Sequence, residues 1–334
     1  MLKETIKLNM NEMPYLPPEK VIAAAEKGLL ELNRYTNPED LELLRKLLAE
    51  YSGVNKENII LGPGSDLLLR EIVQIFSRNR KIVMLSPSFL PTVRSAKQFA
   101  NKLVSIRLSP PDFKLNQEVL INELNEASLL IIDNPNNPTG KVFLDKETVG
   151  SILKDENVLF VIDEAYYEFS GVTFADMIKD CPNLAITRSM DKAFSLAGAR
   201  IGYIIAGNSF LKELSSFYIY LPQSSLYAAR EAMKNPGYMR NNIEKIVEEK
   251  ERVWKELHKL KVNVYRTSTN FLLIKTEIPD IAGMLKDIGV LISDLSNQIS
   301  PGFIRVSIGK PEENDIFIKE YMNFFDLFNH NSEK

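Results

Sequence analysis

Residues 127–166 read "ASLLIIDNPNNPTGKVFLDKETVGSILKDENVLFVIDEAY", and the succession of patterns inside this stretch decides the fold. "ASLLIIDNP" (127–135) opens with a continuous apolar run rich in branched side chains. Such a run suits a strand buried on both faces, as in parallel sheets. "DNPNNPTGK" (133–141) follows, with two prolines and three asparagines, and reads as a fixed loop. "DKETVGSILKDE" (145–156) has helical period behind an Asp at the N-cap position. "VLFVIDEAY" (158–166) is a second buried strand. Strand, helix and strand in this order predict an α/β layered domain.

The same texture continues outward. "KIVMLSP" (81–87), "NLAITRS" (183–189) and "RIGYIIAG" (200–207) are further strand patterns. From about Pro236 the character changes. Residues 241–260 form one charged amphipathic helical pattern, with Ile243, Ile246, Val247, Val253 and Leu257 marking its apolar side. "NFLLIKT" (270–276), "GVLIS" (289–293) and "FIRVSIG" (303–309) then alternate with a helical "IAGMLKDIG", as in a smaller α+β domain. The expected division is an N-terminal segment, 1–30, packing with the small domain; a large domain, 31–235; and a small C-terminal domain, 236–334.

The chain has 334 residues and a net charge of −3, with 45% hydrophobic and 25% charged residues. This balance is that of a folded chain with no electrostatic preference for nucleic acid or anionic membranes. Cys181 is the only cysteine, so no intrachain disulfide is possible, which fits a reducing compartment. The first residues carry no apolar signal region and no run reaches a membrane-spanning length, so a cytoplasmic protein is expected. Two histidines, His258 and His330, both in polar surroundings, argue against a histidine-built zinc site or a Ser-His-Asp triad.

Four polar segments at strand ends or helix starts can carry chemistry, because ligands of parallel sheets bind beyond the carboxyl ends of the strands. The first is the Asn/Pro loop, which can equally be a well-made turn. The second is "IDEAYYEF" (162–169), where a carboxylate at a buried strand end stays ionised only if a cation or proton donor meets it. The third is "LGPGSDLLLREIVQIF" (61–76), a glycine-rich helix start whose free amides can hold an anion, or simply an N-cap. It is neither a Walker A loop nor a dinucleotide fingerprint. The fourth is "SMDKAFSLAGARIGY" (189–203). There Lys192 is either an exposed lysine or an amine made nucleophilic by its apolar surroundings.

In order, "NNPTG", "DEAY" and "K…AGAR" resemble the fold-type I pyridoxal-phosphate aminotransferases. "NPNNPTG", "DEAYYEF", "KAFSLAGARIGY" and "IRVSIGKPEEND" are most similar to the histidinol-phosphate aminotransferase branch, as are "LNMNEMP" (8–14) and "NRYTNPEDLELLRKLLAEYSGV" (33–54). The likeness runs from about residue 6 to 325. It implies a three-layer α/β/α large domain with a mostly parallel sheet, and pyridoxal 5'-phosphate as cofactor. Lys192 would bond the cofactor aldehyde and then move the proton. Asp163 would face the pyridine nitrogen. Asn137 and Tyr166 would hydrogen-bond the ring hydroxyl, and Phe89 would stack where a tyrosine is common. The phosphate would sit on the backbone amides of Ser65 and Asp66, with Arg200 and the Ser189 hydroxyl, and Tyr35 would reach in from the neighbouring subunit of a homodimer. Arg305 and Asn137 would bind substrate.

Three departures stand out from this pattern. Asp191 replaces a usual serine and would repel the phosphate unless it turns away or pairs with Arg188. Ser293 stands where a second substrate arginine is usual. Met13 replaces an aromatic polar residue, with Tyr15 close by. The expected reaction is transamination of histidinol phosphate with 2-oxoglutarate. Alternatives are an aromatic or broad-specificity amino-acid aminotransferase and, with "DEAY" and "KAFSLAG" tilting against it, a threonine-phosphate decarboxylase. A non-catalytic scaffold would have lost Lys192 or Asp163, and both are present.

Overall fold

The computed structural model describes residues 5–77, 80–214 and 220–332. Thirteen strands are assigned in them: β1 (Ile6–Lys7), β2 (Ile59–Gly62), β3 (Lys81–Ser86), β4 (Lys102–Arg107), β5 (Ala127–Asp133), β6 (Leu159–Asp163), β7 (Leu184–Ser189), β8 (Gly202–Ala206), β9 (Asn263–Tyr265), β10 (Phe271–Lys275), β11 (Val290–Leu291), β12 (Ser293–Asp294) and β13 (Phe303–Ser307). Seven make one sheet, in the order β2-β8-β7-β6-β5-β3-β4. Every neighbour in it is parallel except at β8, which runs against both β2 and β7. The sheet is buried on both faces. One apolar layer holds Val83, Leu130, Phe160 and Ile186, and the other holds Ile82, Leu129, Val161 and Ala185. Successive residues of one strand thus serve opposite layers, as pleating requires.

The opening stretch folds as its pattern predicts. Asp145 caps the helix Lys146–Leu153, its side chain accepting from the Thr148 amide at 2.7 Å. β5 and β6 then lie side by side in register, Asp133 beside Asp163, and Thr187 of β7 continues the row. Three polar residues therefore form one row across three adjacent strands, at the edge where β5 and β6 end. Because β8 is reversed, its first residue, Gly202, returns to that same edge opposite Ser189 and Gly62.

A second sheet, antiparallel and ordered β12-β13-β10-β9, covers its own core of Leu272, Ile274, Ile304 and Val306. β1 pairs in parallel with β11, and Leu8 enters this smaller core. The helix Glu19–Leu29, by contrast, packs on the helix Gln223–Lys234 of the larger lobe, unlike the sequence expectation for residues 1–30. Contact there is close, for a Cβ on Gly28 would sit 2.4 Å from the Ser224 Cα. The long helix begins earlier than its charge pattern suggests and spans Gly237–Lys259. Ile246, Val253 and Leu257 are buried in the smaller core and Ile243 packs on the larger one. Val247 was expected inside and is exposed. The helix touches the two cores along different lines, so no single apolar stripe describes it.

Candidate active site

A cleft of about 400 Å³ opens beyond the carboxyl edge of the large sheet. Its wall includes Ser65, Asp66, Phe89, Asn137, Asp163, Tyr166, Ser189, Lys192, Arg200 and Arg305. These are the residues picked out from the sequence, with one exception. Tyr35 is 83% exposed on the same chain and lies outside this wall, its ring 4.9 Å from that of Tyr220.

The Asn/Pro loop is held by its own side chains. Asn134 Oδ1 accepts the amides of Phe143 and Leu144 at 2.8 and 3.1 Å. Asn136 donates to the Pro87 carbonyl and accepts from the Thr139 amide, both at 3.1 Å. The Asn137 amide donates to Asp133 Oδ2 at 2.7 Å, which leaves the Asn137 side chain facing the cleft. Gly140 closes the turn at φ +69°, and a Cβ there would meet Thr267 at 2.3 Å. The three asparagines are therefore structural at 134 and 136, and cleft-facing at 137.

Two carboxylates stand at the strand ends. Asp133 accepts from Ser88 Oγ at 2.7 Å as well as from Asn137. Asp163 accepts from Thr187 Oγ1 at 2.8 Å. Burial, with Asp133 nearby as a lesser cause, pushes Asp163 up to about 7. A carboxylate so placed calls for a cationic or proton-donating partner. Tyr166 lies beside it, pushed up to about 12 by burial, so its phenol keeps its proton. That phenol oxygen accepts from Asn11 Nδ2 at 2.8 Å and Asn137 Nδ2 at 3.5 Å.

Lys192 follows β7 through a tight turn, and its Nζ donates to the Met10 carbonyl at 3.1 Å. Burial lowers its pKa; Asp191 opposes this and Arg305 adds to it. The amine is thus partly deprotonated more readily than an ordinary lysine.

The helix Ser65–Phe76 presents its first turn to the same cleft. The first amides of a helix have no acceptors of their own and attract anions. Gly64 precedes it at φ +90°, and a Cβ there would lie 2.2 Å from Arg200 Nη2. Gly202 backs it, since a Cβ at that position would lie 2.4 Å from the Ser65 amide nitrogen. Arg200, itself left-handed at φ 54°, pairs with both Asp66 and Asp191. The expected partner of Asp191, Arg188, is elsewhere. Arg188 is buried and donates to Glu164 Oε2 from Nε and Nη2, at 3.0 and 2.8 Å, with the Tyr167 ring 3.8 Å away. Neighbouring strand residues face opposite sides, so Arg188 points away from the side that Thr187 and Ser189 share.

Arg305 comes from β13 of the smaller sheet. It donates to Asn137 Oδ1 at 2.6 Å, the Asn9 carbonyl at 2.7 Å and Ser293 Oγ at 3.0 Å. Ser293, the register partner of Arg305 on β12, itself donates to the Asn9 carbonyl at 2.9 Å. Arg305 Nε is buried without a partner among the described residues.

Sequence reasoning missed Asn9, Asn11 and Asp133. Asn11 has φ 53°, a conformation Asn tolerates, and its backbone and side chain are tied to Ser307 and Asn270. An asparagine flanked by Met and Glu carries no such signal; only the resemblance of "LNMNEMP" pointed to the segment. Asp133 ends the apolar run "ASLLIID" and is the register partner of Asp163, but neither that pairing nor its loop-bracing hydrogen bonds follow from the sequence.

The arrangement fits a phosphorylated pyridine aldehyde. One cleft is lined by an amide-and-arginine cup closed by glycines, a buried acid with raised pKa and an amine with lowered pKa. The family profile for aminotransferase class I and II matches residues 3–320. The histidinol-phosphate aminotransferase of Sulfurisphaera tokodaii is 37% identical over 327 residues, 95% of this chain and 90% of its own. That of Pyrococcus furiosus is 36% identical over 326 residues, 96% and 92% of the two chains. The crystal structure of histidinol-phosphate aminotransferase from Sinorhizobium meliloti in complex with pyridoxal-5'-phosphate superposes with a TM-score of 0.87 at 23% identity, covering 98% of this chain and 92% of that one, a likeness of fold. The chain therefore belongs to the class I and II aminotransferases and is a fold-type I, pyridoxal-phosphate-dependent enzyme of that family.

Proposed function

We propose that the enzyme transfers the amino group of histidinol phosphate to 2-oxoglutarate, as a homodimer in the cytoplasm. The observation that carries this reading is the convergence, in one cleft, of Lys192, Asp163, the Arg200 cup and Arg305. The choice of substrate is supported by the relatives' identity over nearly the whole chain. When bound, pyridoxal phosphate supplies the aldehyde that accepts the amino group and the ring that takes up the electron pair left at the substrate carbon.

The chain's own residues do the rest. Asp163 would meet the positive charge of the ring nitrogen and so offset its own desolvation cost with an ion pair. Tyr166 and Asn137 donate hydrogen bonds to the ring oxygen. Phe89 covers one ring face. The backbone amides of Ser65 and Asp66, with Ser189 and Arg200, would bind the phosphate. Lys192 would carry the proton between the substrate carbon and the cofactor carbon that receives it, and its lowered pKa favours the role of base. Arg305 binds the anionic end of the substrate, pre-aligned by Asn9 and Ser293. The lobe 31–235 carries the cofactor and the lobe 236–334 carries Arg305.

Tyr35 completes the partner's phosphate cup in this reading. Leu30 and Leu32, 85% and 78% exposed, supply apolar surface near it for a subunit contact. Among the described residues no helix is long and apolar enough to cross a membrane.

The test is a half-reaction screen of the holoenzyme with histidinol phosphate, phenylalanine, tyrosine, aspartate and threonine phosphate. Histidinol phosphate should bleach the visible absorbance of the bound cofactor. Bleaching by an aromatic amino acid but not by histidinol phosphate would reject the substrate, and carbon dioxide release from threonine phosphate would reject the reaction.

A further inference from the structure

The phosphate cup contains two carboxylates as well as its donors. Arg200 pairs with Asp66 through Nη2 and with Asp191 through Nη1. Asp66 has a side chain 38% exposed and can turn to water. Asp191 cannot, for its side chain is 10% exposed and Oδ1 is buried with no partner among the described residues. Its amide donates to Ser189 Oγ at 3.0 Å, which ties its backbone to the cup. The charged groups around it are Arg200, Lys192 and Asp66. A second cavity of about 240 Å³, which Asp191 also borders, adds Lys7, Glu12 and Glu313. Burial raises the Asp191 carboxyl, against Arg200 first and Lys192 second.

A phosphate monoester brings nearly two negative charges at neutral pH. In the cup it draws the Arg200 guanidinium onto its own oxygens and weakens the pair that keeps Asp191 ionised. It also sets like charge beside a side chain that water does not screen. A proton relieves both effects in place, because a neutral carboxyl is a hydrogen-bond donor.

We propose that Asp191 takes up one proton from solvent when a phosphate group occupies the cup, and donates it in a hydrogen bond to a phosphate oxygen. Cofactor binding is then proton-coupled at this residue. The inference rests on the reading of the cleft as the cofactor site and adds to it a mode of recognition.

The test is calorimetric titration of the full-length, cofactor-free chain with pyridoxamine 5'-phosphate, which has no aldehyde to react with Lys192. Titrations run between pH 7 and 9, where the ligand phosphate is already close to dianionic, in two buffers of different ionisation enthalpy. The wild type should take up about one proton more than Asp191→Asn, which donates without titrating. Its affinity should fall, relative to that variant, by up to about tenfold per pH unit. Pyridoxamine, lacking the phosphate, should give the same proton count in both proteins. Equal counts with the phosphate ligand overturn the proposal, as does a variant that binds more weakly at every pH. If neither protein prefers the phosphorylated ligand, the cup itself is misassigned and both readings fall. The holoenzyme gives a second measurement. After conversion by an amino donor, loss of pyridoxamine phosphate should quicken with pH in the wild type more than in Asp191→Asn; parallel profiles overturn the proposal.

Discussion

Asp163 shows how a single side chain ties site chemistry to stability. Its carboxyl titrates near 3.8 when exposed and is pushed up to about 7 by burial. For an acid raised on folding, the stabilising contribution is complete below the lower value and is lost as pH rises through the higher one. In the cofactor-free chain, Asp163→Asn should therefore gain on the wild type between pH 5 and pH 8, by roughly 3–8 °C in Tm. A difference that stays flat with pH would show that Asp163 already has its counter-charge without cofactor. In the loaded enzyme the same change should cost activity, because the ring nitrogen loses its ion pair. Lys192→Ala should abolish the visible absorbance of bound cofactor and lower the rate at least ~10²–10⁴-fold, the usual worth of a placed acid-base group. Both residues were legible as types at strand ends. What the resemblance did not convey was side-chain direction: Arg188 was offered to Asp191, yet strand alternation turns it to Glu164. Applied to "ITRS", that rule puts Arg188 on the side opposite to Thr187 and Ser189.

The elements that matter most are the helix Ser65–Phe76 and the reversed strand β8, because their ends meet at the cup. β8 has the same apolar run as its parallel neighbours, so composition could not show its direction. The connection could have done so. Residues 190–201 contain only the short turn Ala197–Ala199, and Met190 and Ile201 are already hydrogen-bonded at 2.9 Å. A parallel return needs a crossover, usually helical, which "MDKAFSLAGARI" does not supply. The glycine at the start of β8 is what lets the helix come close. Gly202→Ala would place a Cβ 2.4 Å from the Ser65 amide nitrogen and 2.9 Å from the Gly64 Cα, both backbone atoms that cannot swing aside. We expect a stability loss of about 1–3 kcal/mol from overpacking, and weaker binding of pyridoxal phosphate than of pyridoxal relative to wild type. Fluorescence titration with the two compounds separates these effects: equal weakening for both would mean that only the fold, and not the cup, was disturbed.

At the scale of the whole molecule the site is assembled from distant stretches: Asn9 and Asn11 before the large sheet, Lys192 at its edge, Arg305 from the smaller sheet. The helix Gly237–Lys259 packs on both cores, so movements of one lobe are felt by the other. Periodicity could not reveal this, since a helix with two partners carries two overlapping stripes. Nor could it reveal the face around Tyr35, where apolar residues stay outside. If Tyr35 serves the neighbouring subunit, a single chain never holds a complete site, and mixing defects becomes informative. Tyr35→Ala and Lys192→Ala should each be nearly inactive alone. In a mixed dimer, the site that keeps Lys192 receives Tyr35 from the other chain and is whole, while the second site lacks both. Random reassortment makes half the dimers mixed, with one intact site in two, so activity should recover to about a quarter of the wild type. Were Tyr35 to act within its own chain, no mixed dimer would contain a complete site. Activity after unfolding and refolding the mixture would then stay at the average of the two parents.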